Sequence, residues 1–326
     1  MVRNAATGAL ESCNFENLVA NVPELKLCGA EISAVTFDNP IDSSDMTPRH
    51  WGMMVKIISD NYDLYDGFVI LHGTDTMAFT ASALSFMLEN LTKPVILTGS
   101  QLPIEAIRTD AKENLLTAIE IAAARDADGN AMVPEVCIFF HEELMRGNRA
   151  TKISANNLAA FSSNNYPLLA HSGTEIDYHK EFIRRPSTGT FTPHYRMDPG
   201  IIIFSLFPGI RREAVEGVLR SKEIKGVIFR TYGSGNAPEN GWLVELLSEA
   251  VLSGKTIVNI SQCATGKVQM EKYRTGKQLL EAGIVSGRDS TVEAALTKLM
   301  FLLGENLSQE QIRCRMNESI AGEITI

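Results

Sequence analysis

Short apolar runs rich in β-branched residues alternate with helix-like segments along most of this sequence. Phe68–Leu71 has the composition of a buried strand, His72–Asp75 that of a tight turn, and Thr76–Leu91 that of a helix. Further strand-like runs follow at Pro94–Leu97 and Val136–Phe140, with helix-like sequence between them. This alternation is typical of parallel strands joined by crossover helices, so the sequence predicts an α/β fold.

The periodic pattern fails between about Glu181 and Pro199, where Arg184–Thr190 combines charge with turn-forming residues. Strand-like runs then resume at Ile201–Phe207, Val227–Phe229 and Thr256–Ile260. A length of 326 residues also suits two cores better than one. We therefore expect two α/β domains with largely parallel sheets: a larger, doubly wound N-terminal domain over 1–190 and a smaller C-terminal domain over 191–326.

Charge and cysteine content exclude several classes of function. Thirty Lys and Arg against 39 Asp and Glu give a net charge of −9, which argues against nucleic acid or an anionic membrane as a partner. The cysteines form no CxxC pair, which favours a reducing cytoplasm. No apolar run approaches the roughly 20 residues that a membrane-spanning helix needs. We expect a cytoplasmic protein that neither enters a membrane nor binds nucleic acid.

Polar turns that follow strands are the places to look for a site, because ligands of open parallel sheets bind beyond the carboxyl ends of the strands. The turn His72–Thr76 offers a hydroxyl on Thr74, a carboxylate on Asp75 and free backbone amides. Such a set can bind an ammonium group and stabilise an oxyanion. Taken alone, however, the same turn is better explained by Asp75 capping the following helix.

Asp42, Ser43 and Ser44 offer carboxylate and hydroxyl groups that suit the zwitterionic head of an amino acid. Capping of the helix through Trp51, by Asp45 or by Thr47, accounts for this segment equally well.

A cluster of cations lies at Arg146, Arg149 and Lys152. A lysine buried beside a carboxylate can hold or pass a proton, although a solvated surface run is the simpler interpretation. Cofactor signals are weak, because Gly233–Pro238 carries Pro where a dinucleotide fingerprint needs its third Gly. No His, Cys, Asp or Glu cluster in the sequence has metal-ligand spacing. We expect neither a cofactor nor a metal.

Taken together, these segments resemble the asparaginase/glutaminase family, and specifically its cytoplasmic type I bacterial branch. Asp66–Met77 is similar to the second signature of that family, which is long and specific. Other segments resemble type I sequences in the expected order: Asp42–Met46, Pro94–Gln101, Arg146–Lys152, Tyr232–Pro238 and Thr291–Ala294. The resemblance covers nearly the whole chain from about residue 35 onward.

The resemblance implies hydrolysis of the asparagine side-chain amide by acyl transfer to a threonine, without metal or cofactor, in a homodimer or homotetramer. A threonine hydroxyl needs an adjacent base to act as a nucleophile. The implied catalytic residues are Thr74, Asp75 and Lys152, and the implied substrate-binding residues are Asp42, Ser43, Ser44, Thr74 and Asp75. Type I sequences can also form a regulatory asparagine site, for which the matching positions here are Thr151, Arg230, Asn236 and Cys263.

One family feature is absent from the sequence. The first family signature, Thr-Gly-Gly-Thr-Ile, holds the threonine usually assigned as primary nucleophile, and this string does not occur. Residues 1–30 also lack the apolar strand that usually opens a doubly wound domain, so we expect both to lie upstream of Met1. Three alternatives remain open: a glutaminase, an amidase component of a tRNA-dependent amidotransferase, and a sensor that binds an amino acid without hydrolysing it.

Overall fold

The computed structural model describes residues 21–185, 188–239 and 241–326, together with the backbone of two short strands at 2–3 and 10–11. The chain falls into two compact units, Met1–Tyr195 and Arg196–Ile326. Each unit contains its own sheet with helices packed against it, so the α/β class expected from the sequence is confirmed. None of the helices in these described ranges combines the length and apolar character needed to span a bilayer.

The first unit contains three α-helices in its described part: α1 (Pro48–Asp60), α2 (Met77–Met87) and α3 (Ala111–Ala123). Its strands are β1 (Val2–Arg3), β2 (Leu10–Glu11), β3 (Phe68–Leu71), β4 (Leu88–Glu89), β5 (Val95–Thr98), β6 (Val136–Phe140), β7 (Glu143–Arg146), β8 (Thr151–Lys152), β9 (Phe161–Ser162), β10 (Ala170–Ser172), β11 (Ile176–Tyr178) and β12 (Thr192–Pro193). Short 3₁₀ turns lie at Pro23–Leu27, Ser43–Asp45 and Gly147–Arg149. The helix expected over Thr76–Leu91 ends at Met87, because the chain there enters β4 and pairs with β12.

The main sheet of the first unit is mixed, with the strand order β11-β10-β7-β6-β5-β3. Strands β3, β5 and β6 are parallel, as the sequence predicts, whereas β7, β10 and β11 add antiparallel pairs. The reversal occurs between β6 and β7, where His141 and Glu142 have φ angles of 47° and 71°. Two central residues with positive φ match the right-handed twist of a two-residue hairpin.

Strands β5 and β6 are buried along their whole length. Side chains of Ile96, Cys137 and Phe139 pack into one cluster with Ala118 and Ile121 of α3. Helix α2 also packs against β5 and β6. Helices cover both faces of this sheet, and strands covered in this way are apolar at every position rather than at alternate ones.

The second unit is built on a four-stranded, fully parallel sheet in the order β13 (Ile201–Ser205), β14 (Gly226–Thr231), β15 (Thr256–Ser261) and β16 (Val285–Ser286). Its helices are α4 (Arg212–Leu219), α5 (Gly241–Leu252), α6 (Arg274–Glu281), α7 (Val292–Gly304) and α8 (Gln309–Asn317), and a 3₁₀ turn spans Met270–Lys272. The parallel sheet expected for the smaller part of the chain is confirmed.

Candidate active site

The turn after β3 is held in place from two sides. The backbone N–H of His72 donates to the Thr98 carbonyl at 2.9 Å, which continues the pairing of β3 with β5. Gly73 lies so close to Ser43 that an added Cβ would sit 2.5 Å from Ser43 Oγ. The Thr76 hydroxyl donates to the Ser43 carbonyl at 2.6 Å. The Ser43–Asp45 turn and the His72–Thr76 turn therefore form one structure, and Gly73 has to be a glycine.

Lys152 joins the two candidate side chains of this turn. Its Nζ donates to Thr74 Oγ1 at 2.8 Å and to Asp75 Oδ1 at 2.7 Å. Thr76, rather than Asp75, occupies the N-cap position of α2, so the capping explanation of Asp75 is wrong. The structure thus brings the Lys152 ammonium group to a hydroxyl 78 positions and a carboxylate 77 positions before it in the sequence.

The interpretation of Arg146, Arg149 and Lys152 as a solvated surface run is wrong for both arginines, which are buried. The Arg146 guanidinium binds the Glu135 carboxylate through Nε at 2.6 Å and Nη2 at 3.2 Å. Burial disfavours its charge, but the Glu135 carboxylate and Tyr166 together outweigh that effect and raise the pKa of Arg146. Both guanidinium groups also lie over the ring of Tyr166, at 4.3 and 5.1 Å from its centre. Lys152 is the member of this cluster that reaches the turn after β3.

The Asp42 carboxylate is fixed by its neighbour Ser44. Asp42 Oδ1 accepts hydrogen bonds from the backbone N–H and the hydroxyl of Ser44, both at 2.8 Å. These two bonds, the backbone one foremost, lower the pKa of Asp42 and keep its carboxylate charged. Asp42 and Ser44 lie on either side of the buried Ser43 and are more exposed than it is. The three side chains are therefore held in one turn, of which Ser43 contacts the turn bearing Thr74.

Gln101 is a member of this site that the residue types did not single out. Thr74 Oγ1 donates to Gln101 Oε1 at 3.3 Å, and Gln101 Nε2 donates to the Asn157 carbonyl at 3.0 Å. The Asp110 carboxylate holds the Gln101 backbone N–H at 2.9 Å. The signal that identifies Gln101 is its place just beyond the carboxyl end of β5, which is parallel to β3.

The four positions implied for a regulatory site belong to different units. Thr151 lies in β8 of the first unit. Arg230, Asn236 and Cys263 all lie near the carboxyl ends of β14 and β15 in the second unit. The Asn236 carboxamide oxygen accepts from the Thr275 hydroxyl, and Cys263 is exposed. Arg230 Nε is buried without a hydrogen bond to any described residue.

No group of three or more His, Cys, Asp or Glu side chains within the described ranges has the arrangement of a metal site.

Two family models match the chain. The asparaginase N-terminal model matches residues 1–184, and the glutaminase/asparaginase C-terminal domain matches residues 200–316. The chain belongs to the asparaginase family. It is therefore an amidohydrolase of that family, and the resemblance seen in its sequence motifs is confirmed.

The chain is similar to several known proteins over most of its length. The chain is 46% identical to L-asparaginase 1 of Escherichia coli K12 over 285 residues, 87% of this chain and 82% of that protein. It is 32% identical to a glutamyl-tRNA(Gln) amidotransferase component of Pyrococcus abyssi, over 98% of this chain and 73% of that protein. The crystal structure of L-asparaginase I from Vibrio cholerae matches with a TM-score of 0.89 and 41% identity, covering 99% of this chain and 97% of the other.

Proposed function

We propose that this protein hydrolyses the side-chain amide of free L-asparagine, giving L-aspartate and ammonia, by acyl transfer to a threonine hydroxyl. The observation that carries the proposal is the double contact of Lys152 Nζ with Thr74 Oγ1 and Asp75 Oδ1, at 2.8 and 2.7 Å. Similarity to the L-asparaginase 1 of E. coli, at 46% identity, supports the same activity.

We assign the attack to the Thr74 hydroxyl, which Lys152 contacts, and not to the first-signature threonine, which this sequence does not contain. The proposed relay moves one proton at a time through Thr74, Lys152 and Asp75. Asp75 takes a proton from the Lys152 ammonium group, and the resulting amine accepts the hydroxyl proton of Thr74 as its oxygen attacks the amide carbon. The reprotonated Lys152 then gives that proton to the leaving nitrogen, so that ammonia departs and an ester to Thr74 remains. Water then attacks the ester and passes one proton through the Lys152 amine to the Thr74 oxygen, which releases aspartic acid and restores the hydroxyl. Asp75 finally returns its proton to Lys152, and the product acid ionises to aspartate.

Substrate binding falls to the two turns that meet at Ser43 and Gly73. The charged Asp42 and Asp75 carboxylates suit the α-ammonium group of the substrate, while the hydroxyls of Ser43 and Ser44 can donate to its α-carboxylate. Backbone N–H groups of the turn bearing Thr74 can donate to the oxyanion that develops during attack.

The test is ammonia release from asparagine by Thr74→Ala, Lys152→Met and Lys152→Arg. We expect each substitution to lower kcat by about 10²-fold or more, because each removes the nucleophile or the proton carrier. The matched control is Lys56→Met, since Lys56 pairs with Asp60 at 2.9 Å in the same unit but on the exposed surface of α1. Wild-type turnover in both Thr74→Ala and Lys152→Met would overturn the assignment.

Rates with glutamine, measured beside those with asparagine, separate asparaginase from glutaminase. The amidotransferase alternative rests on a more distant relative, at 32% identity. A preference for glutamine by the wild-type chain would favour the glutaminase alternative. Binding of an amino acid without release of ammonia would favour the sensor.

We propose a cytoplasmic homodimer or homotetramer, divided into domains near residue 190, with a regulatory asparagine site that uses Thr151, Arg230, Asn236 and Cys263. The buried Nε of Arg230, which has no hydrogen bond to a described residue, supports a ligand at that position. A sigmoidal dependence of rate on asparagine that Arg230→Met makes hyperbolic would agree with it.

A further inference from the structure

A chain of buried hydrogen bonds connects α1 and α2 with the turn that carries Thr74. Trp51 Nε1 donates to Thr80 Oγ1 at 2.9 Å, and the same oxygen lies 2.9 Å from His72 Nε2. His72 Nδ1 in turn lies 2.6 Å from the Gly73 carbonyl oxygen. All three side chains are buried, with Thr80 at 0% exposure. The proposed relay of Thr74, Asp75 and Lys152 uses none of them.

The direction of every bond in this chain follows from the chemistry of its ends. A carbonyl oxygen only accepts, so the proton of a neutral His72 ring is on Nδ1, and Nε2 is left as an acceptor. The Thr80 hydroxyl therefore donates to Nε2, and its oxygen accepts from the Trp51 indole, which can only donate. Burial lowers the pKa of His72 more than the Gly73 carbonyl raises it, which favours the neutral ring.

The Gly73 carbonyl is the end of this series of hydrogen bonds that lies next to Thr74. The peptide between Gly73 and Thr74 is trans, so the Thr74 N–H points opposite to the carbonyl that the buried ring holds. Within the described ranges, the structure gives this N–H no hydrogen bond. It is a free donor beside the Thr74 hydroxyl, where a developing oxyanion needs one.

We infer that His72 is a positioning residue for amide hydrolysis: held by Thr80 and Trp51, its Nδ1–H fixes the Gly73–Thr74 peptide and thereby aims the Thr74 N–H. The inference rests on the proposed function and adds a residue that does not touch the substrate. It implies that loss of His72 reduces the stabilisation of the transition state. Binding of the substrate head group at Asp42–Ser44 is unchanged.

Four variants test whether these hydrogen bonds support catalysis. His72→Leu removes both ring contacts, whereas His72→Asn places an amide N–H near the position of Nδ1 and can still hold the Gly73 carbonyl. Thr80→Val removes the hydroxyl at nearly constant volume, and Thr80→Ser restores it. We expect kcat for asparagine to fall about five- to tenfold in His72→Leu, less in Thr80→Val, with KM unchanged, and to recover in His72→Asn and Thr80→Ser.

The matched control is Ser82→Ala, because Ser82 is a fully buried hydroxyl on the same helix α2 that lies outside this chain of bonds. It should leave kcat unchanged while testing the cost of removing a buried hydroxyl from α2. A second readout is ¹⁵N NMR of the His72 ring, which distinguishes a protonated Nδ1 from a protonated Nε2. We expect the proton on Nδ1 in the wild type.

The two proposals fail in different ways. Absence of amidase activity in the wild type would overturn the proposed function and this positioning role with it. An active wild type, together with a folded His72→Leu variant of unchanged kcat, would overturn the positioning role alone. So would a wild-type spectrum with the proton on Nε2.

Discussion

The buried ion pair between Lys298 and Glu323 should stabilise the second unit far more than an exposed pair of the same length. Lys298 Nζ lies 2.5 Å from Glu323 Oε1, and the two side chains are 2% and 1% exposed. The ammonium group also donates to the carbonyl oxygens of Met316 and Glu318. The pair therefore ties α7 to the end of α8 and to the segment that follows it.

The loss in the free energy of unfolding depends on whether a substitution leaves a buried charge without its partner. Burial lowers the pKa of Lys298 in spite of the opposing Glu323 carboxylate, so the charge of this pair is held at a real desolvation cost. Lys298→Met leaves the Glu323 carboxylate buried without its ammonium partner. Among these contacts, the carboxylate then keeps only the hydrogen bonds from the N–H groups of Ile320 at 3.1 Å and Ala321 at 2.7 Å. Removing one member of a buried pair costs about 3–5 kcal/mol.

The matched control is Lys225→Met in the same unit. Lys225 Nζ also lies 2.5 Å from its carboxylate, on Asp198, but the lysine side chain is 57% exposed. The Asp198 side chain is 18% exposed and also accepts a hydrogen bond from the Gly200 N–H at 2.8 Å, so loss of Lys225 costs far less than loss of Lys298. The two variants therefore separate the effect of burial on stability from the effect of the distance between the charged atoms.

The assay is urea unfolding of the full chain followed by tryptophan fluorescence. The sequence has two tryptophans, so a Trp51→Phe background leaves Trp242 of α5 as the reporter of the second unit. We expect a large fall in the unfolding midpoint for Lys298→Met and almost none for Lys225→Met. Lys298→Met combined with Glu323→Leu should cost less than the sum of the two single changes. Equal shifts for the two lysine variants would refute the reasoning.

Two further predictions concern single buried groups of the first unit. The Tyr178 hydroxyl is buried without a hydrogen bond to any described residue, and burial, with the Glu120 charge, raises the pKa of Tyr178 to about 12. Tyr178→Phe should therefore leave the free energy of unfolding unchanged or raise it by up to about 1 kcal/mol in urea titration, and a clear loss would contradict this. Burial lowers the pKa of His72 from 6.5, so the unfolded chain binds that proton more readily than the folded one. Its contribution to stability is present above about pH 6.5 and is lost as the pH falls, and His72→Asn should make urea midpoints less sensitive to acid; an equal loss in both proteins would count against it.

The parallel core was predictable from the sequence because its strands are continuous apolar runs bounded by turn residues. Phe68–Leu71 and Val136–Phe140 begin and end in the structure where composition places them. The antiparallel strands β7, β10 and β11 were not predictable in this way, because strands this short are defined by the neighbours they pair with. His141 and Glu142 carry none of the Asn-Gly or Asp-Gly signals that usually mark a two-residue hairpin.

The candidate site was also predictable only in part, because local sequence patterns do not record contacts between distant segments. Composition located the turn bearing Thr74 but left Asp75 as a helix cap, since a carboxylate before a helix is most often a cap. What decided between the two is the contact of Asp75 with Lys152, 77 positions away. That contact depends on the course of the chain after β6, which no local pattern records. Only the resemblance to a family joined the two segments in advance.

The hairpin between β6 and β7, which makes the sheet of the first unit mixed, also explains why only Lys152 of the three cations Arg146, Arg149 and Lys152 contacts the candidate site. After β7 the chain passes close to α2, where a Cβ on Gly147 would sit 3.0 Å from Ala81 Cβ and 2.9 Å from the Val136 carbonyl oxygen. Arg146 and Arg149 are buried along this stretch, as permanently charged groups that are never deprotonated in proteins. Lys152 comes out beside Thr74, and lysine is the cation that can give up a proton and take it back. For this reason Lys152→Arg, which keeps the charge but not the proton transfer, tests the relay more sharply than Lys152→Met.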